Sequence, residues 1–150
     1  MKISNKLATV LLATLGGLAL ATPPNLFECK GTDAVVGYST SSFSGAPTFN
    51  VKTGSEDSRN YLGNQIRTQD SVVGKLVTVT KLAVPDLKVV TDTLVVPGIN
   101  LTDRITEVAF DSVLIETTSR TSIAGPTLVQ GLAQSSQFLP VHCTARKVFF

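Results

Sequence analysis

Tryptophan is absent from this chain, tyrosine and cysteine each occur twice, and histidine occurs once. Each scarcity removes a class of chemistry. Hydrolytic triads need a histidine base, and the only one, His142, stands beside Cys143. Strand alternation would turn those two side chains to opposite faces, which is badly placed for activating a thiolate. One histidine and two cysteines far apart in sequence cannot supply the clustered ligands of a transition-metal site. The chain also lacks a G-x-S-x-G elbow, a G-x-x-x-x-G-K phosphate loop and a D-x-D-x-D-G calcium loop. No catalytic residue, metal ligand or cofactor-binding residue is assigned, and no cofactor is expected.

A second shortage concerns apolar length. The first residues, MKISNKLATVLLATLGGLALA, place Lys2 and Lys6 ahead of an apolar stretch ending in Ala19-Leu20-Ala21. A short basic start, an apolar region and small residues two apart make a cleavable secretory signal, with cleavage expected after Ala21. The apolar run carries Gly16, Gly17 and two threonines and falls short of the ~20 apolar residues a membrane helix needs. Localisation is therefore expected to be exported, periplasmic or extracellular, with no stable membrane insertion once the signal is gone.

The precursor has 13 Lys+Arg against 11 Asp+Glu. Loss of Lys2 and Lys6 leaves the mature chain formally neutral, without the basic footprint of a nucleic-acid binder. The partner expected is an unidentified protein or small ligand, not nucleic acid. The remaining ~130 residues suit one domain. Residues 22–28, with two prolines, read as a flexible leader, and 29–150 as the folded unit.

The charged Glu28 immediately before Cys29 argues against lipid attachment, which needs small residues there. An even cysteine count in an exported chain reads first as a disulfide, here Cys29 to Cys143. In the segment LPVHCTARKVFF, Val141, Cys143 and Ala145 share one strand face and His142, Thr144 and Arg146 the other, so Cys143 belongs to the apolar side.

Between the cysteines the chain is rich in Val, Thr, Ser, Ile and Phe, which suit strands. Turn signals recur at 44–47, 53–60, 69–71, 84–86, 96–100, 124–126 and 139–140. This pattern predicts an all-β, single-domain antiparallel β-sandwich or flattened β-barrel. Strands are expected at 34–40, 47–53, 74–83, 87–96, 104–119, 127–135 and 140–150. The window YLGNQIR reads as a short strand or a single turn. In 104–119 the alternation gives way to Val113-Leu114-Ile115, which suggests a bulge near Asp111-Ser112 or a change in how the strand is covered.

Several polar groups are candidate sites. Glu107 and Asp111 share a strand face but would lie roughly 13 to 14 Å apart, too far for a paired-carboxylate mechanism. The loop GSEDSRN offers Glu56, Asp57 and Asn60 as oxygens for a hard cation, although a polar hairpin loop has the same composition. Ser119, Arg120 and Ser122 form the candidate ligand site, since hydroxyls beside a guanidinium suit a carboxylate, sulfate or sugar. The C-terminal KVFF suggests an outer-membrane barrel strand, but Arg146, Thr144 and His142 do not alternate as one, and the aromatic girdles are missing.

Three functions follow: an exported non-catalytic binding or structural module, a barrel carrier of a small apolar ligand, and a carboxylate-dependent hydrolase. Intact-mass measurement of the exported protein should give a chain starting at Thr22, with two thiols that alkylate only after reduction. A lipid on Cys29 or two free thiols would refute the disulfide reading.

Overall fold

A computed structural model describes residues 22–83, 87–102, 104–124 and 127–149, with the side chains of 121–133 left undescribed. The expected signal, residues 1–21, lies outside this range. The described residues form nine strands: β1 (Leu26–Lys30), β2 (Ala34–Ser39), β3 (Thr48–Thr53), β4 (Arg59–Leu62), β5 (Ile66–Ser71), β6 (Gly74–Ala83), β7 (Lys88–Val96), β8 (Glu107–Ala124) and β9 (Thr127–Arg146). They form one antiparallel sheet in the order β4-β3-β2-β1-β9-β8-β7-β6-β5, nearly closed into a barrel. Among the described residues no helix is long and apolar enough to cross a membrane.

Every pairing but one joins strands that follow each other in sequence. The exception is β1 with β9, where Cys29 faces Cys143 directly. The two are disulfide-bonded, with Cα atoms 4.0 Å apart and 114 residues of separation.

Alternation builds the interior. On β9 the side chains of Val141, Cys143 and Ala145 are buried while His142 is exposed, the face assignment expected from the sequence. Val36, Phe49, Val51, Val77, Val79, Leu94 and Leu114 fill the centre, each at most 1% exposed. Phe27, Tyr38, Phe49 and Tyr61 run through it as successive ring contacts at 5.6 to 6.5 Å.

The structure differs from the sequence reading in several places: the turn expected at 69–71 is the end of β5, with the chain reversing at Val72-Val73. The segments 127–135 and 140–150 belong to one strand of 20 residues, with no turn at Leu139-Pro140. Proline is tolerated there because β9 pairs with β8 on one side only at that point, so the missing N–H falls on an open edge. The expected strand 104–119 starts later and runs further, to Ala124. Its pairing with β9 is regular through Asp111-Ser112, and the irregularity falls between Ser119 and Thr121. The window YLGNQIR divides into the end of β4, a 3₁₀ turn at Gly63–Gln65 and the start of β5. Finally, β1 begins at Leu26, inside the expected leader, and Thr22 is bridged to Leu101 by two backbone hydrogen bonds. Asn25 supplies the anchor that composition did not reveal: its side chain bonds the N–H and the carbonyl of Val148, and its own carbonyl accepts from the Thr40 N–H.

Gly31 lets the β1–β2 turn approach β9. A Cβ there would sit 2.3 Å from the Pro140 carbonyl oxygen, a backbone atom with little freedom to yield. Replacing both cysteines by serine should cost about 2 to 5 kcal/mol in denaturant unfolding. An unchanged midpoint would mean that the β1–β9 seam holds without its covalent link.

Candidate functional site

The residues singled out from the sequence receive separate surroundings. Ser119 is buried, whereas its neighbour Arg120 is exposed on the other face of β8, opposite Lys88 of β7. The side chain of Ser122 lies outside the described residues. Glu107 and Asp111 are exposed, and Asp111 accepts or shares a hydrogen bond with His142 Nδ1 at 2.9 Å. In the loop GSEDSRN, Glu56 is committed to an ion pair with Arg59. Among the described residues no three His, Cys, Asp or Glu side chains are grouped to hold a metal ion.

The most polar feature of the interior went unnoticed in the sequence. Arg59 of β4 reaches inward and its Nη2 donates to both oxygens of Asp92 on β7, at 3.0 and 3.1 Å, and to Glu116 on β8 at 3.1 Å. Glu116 also accepts from the Thr53 hydroxyl at 2.7 Å and from Gln137 at 2.6 Å. Asp92 is fully buried. The signal was available: in KVVTDTLVV the inward positions are Val90, Asp92, Leu94 and Val96, so one inward residue carries a charge that must be paired. Glu116 follows Leu114 on the same phase of β8.

One guanidinium between two buried carboxylates leaves an excess negative charge, which a proton can relieve. Burial, and then the adjacent Glu116, push the Asp92 carboxyl up to about 6 against the pull of Arg59. Glu116 moves the other way: burial opposes ionisation, but the hydrogen bonds from Thr53, Gln137 and Arg59 and the charge of Arg59 outweigh it and hold it below the usual range. Arg59 stays protonated, because Asp92, Glu116 and Glu56 together outweigh the burial that would lower it. Among the described residues the Nε of Arg59 is buried in this cluster with no hydrogen-bond partner, and the Tyr61 hydroxyl is buried beside Arg59. A cavity of about 350 Å³ opens over it, lined by Asp33, Thr53, Ser55, Glu56, Glu116 and Gln137.

At the opposite end of β2 and β7 lies a different opening. The Thr22–Leu101 bridge brings residues 22–25 against the segment after β7, and between them is a cavity of about 390 Å³. Pro23, Pro24, Phe27, Val96, Pro97 and Ile99 make it mostly apolar, while Thr40, Asp70, Ser71 and Lys75 form its rim. Gly74 permits this geometry: its φ is +133°, and a Cβ there would meet the Val96 carbonyl oxygen at 2.2 Å. Tyr38 also lines the cavity, although the residue as a whole is only 3% exposed.

Fold and site together define a nearly closed, barrel-like antiparallel sheet, cross-linked by a disulfide between β1 and β9, with a filled centre, a buried ion-pair cluster towards one end and an apolar cavity at the other. Compared with protein-family models, curated proteins and solved structures, the chain gives no match.

The opposite shifts of the two carboxylates fix a pH dependence. Between about pH 4 and 6 the folded protein holds a proton on Asp92 that the unfolded chain would release, so stability falls as pH rises through that window. Below the ordinary glutamate range the unfolded chain takes up protons that Glu116 resists, so stability falls again. Thermal unfolding should therefore be most resistant near about pH 4, at the lower end of that window, with a decline towards pH 7 of up to about 3 kcal/mol. Asp92→Asn should abolish that decline, and an unaltered slope in the variant would assign it to other groups.

Proposed function

We propose that this chain is an exported, non-catalytic binding domain that holds a small apolar ligand in the cavity between residues 23–27 and 96–99. The observation that carries the reading is that cavity: about 390 Å³, mostly apolar, and lined by few polar groups. Ligand sites commonly have this size and composition. The centre of the barrel is occupied by Phe49, Val51, Val77, Leu94 and Leu114, so the ligand belongs at the mouth and not along the barrel axis. The Cys29–Cys143 disulfide suits an oxidising compartment, in keeping with the secretory pattern of residues 1–21.

A neutral reporter, N-phenyl-1-naphthylamine, should bind saturably with one equivalent per chain and gain fluorescence. Ile99→Asp places a charge in the cavity and should weaken that binding by about tenfold or more. Phe43→Ser, at a position exposed elsewhere on the surface, should leave it unchanged. Absence of saturable binding by the unsubstituted protein would overturn the reading.

A further inference from the structure

The apolar cavity is not uniformly apolar, and its polar groups converge. Tyr38 is among the most buried residues of the chain, yet its hydroxyl makes no hydrogen bond among the described residues while its side chain lines the cavity. Tyr61, also buried, has its hydroxyl sealed in beside Arg59. The Tyr38 hydroxyl is not one of the sealed atoms; of the two openings that Tyr38 borders, the apolar cavity is the one also lined by Lys75, whose charge acts on the phenol. A buried phenol is normally partnered. A donor aimed into an apolar cavity asks for an acceptor on whatever fills it.

Lys75 stands on the same rim and is close enough for its charge and the Tyr38 phenol to influence each other. Burial pushes the phenol up, so at neutral pH it is an O–H donor. Lys75 is half exposed and its Nζ donates to Asp70 at 2.8 Å. Asp70 is itself almost fully exposed, and such a surface pair contributes little. An ammonium carries three donors, so two remain for a second acceptor. Among the described residues, Asp70 and Lys75 are the only charged ones lining the cavity.

We propose that the cavity takes an amphiphile with a carboxylate head, a medium-chain fatty acid in the simplest case, its tail against Pro24, Phe27 and Ile99 and its head between the Tyr38 hydroxyl and the Lys75 ammonium. This rests on the cavity being a ligand site, and it adds the chemistry of the ligand. Both donors match one acceptor, and the positive charge of Lys75 favours an anionic over a neutral head. Asp70 works against the head, since it competes for Lys75 and repels a carboxylate.

The test is displacement of N-phenyl-1-naphthylamine by decanoate, decanol and decyltrimethylammonium, each below its micellar concentration. Decanoate should compete about tenfold more tightly than decanol, and the cationic amphiphile least well. Lys75→Met should remove the preference for decanoate and leave decanol within about twofold. Asp70→Asn should tighten decanoate and leave decanol unchanged. Tyr38→Phe, which keeps the ring contact with Phe27, should weaken decanoate with less effect on decanol. Equal competition by decanoate and decanol, indifferent to Lys75→Met, would overturn the carboxylate assignment while leaving the apolar site standing. Stronger competition by decyltrimethylammonium would overturn it as well. If the reporter binds nowhere, the failure belongs to the ligand site itself.

Discussion

Antiparallel pairing between β1 and β9 is the contact on which the architecture depends. All other pairings are hairpins between successive strands, so without this seam the chain would be two separate meanders, β1 to β4 and β5 to β9. Each would have a bare apolar face. The seam joins the two meanders into one nine-stranded sheet whose edges are β4 and β5, and it is the pairing with the greatest loop-closure cost because its partners are separated by almost the whole described chain. The disulfide acts at that point, removing from the unfolded ensemble the freedom that closing this loop would otherwise cost.

The interior adds a polar link of similar reach. Arg59 and Thr53 come from the first meander, Asp92, Glu116 and Gln137 from the second. A guanidinium placed between carboxylates has a narrow tolerance for distance and angle, so this cluster sets how the two halves register against each other where aliphatic packing would accept a range of shifts. The apolar cavity forms at the other end, where segments outside the regular strands close over the sheet. The two ends thus differ in chemistry: one is carboxylate-rich and tightly bonded, the other apolar with two converging donors.

Alternation and turn composition made the all-β architecture and the disulfide legible, because both depend on period-two patterning and on the identity of single residues. The extents of β8 and β9 were not legible, since Leu139-Pro140 carries a turn composition and only the absence of a neighbour on one side of β9 lets the proline remain in a strand. The ion-pair cluster was half legible. Asp92 at an inward position marks a charge needing a partner, but nothing local connects it to Arg59, 33 residues earlier. Tyr38 and Lys75 were illegible as a pair, because they lie on β2 and β6 and only closure of the sheet brings them together. The hydroxyl-rich run around Arg120 drew notice through composition, yet alternation separates Ser119 from Arg120.

The cross-strand disulfide has a mechanical consequence. Leu26 lies beside Arg146, so tension applied at the two ends of the domain pulls on adjacent antiparallel strands in the peeling direction. Only the pairs outside Cys29–Cys143 can separate before the load passes into the sulfur–sulfur bond. Every residue between the two cysteines, including the ion-pair cluster and most of the cavity wall, then bears no force. In its oxidised form the domain would extend by a few residues and stop, a short tether with the ion-pair cluster and most of the apolar cavity out of the line of tension.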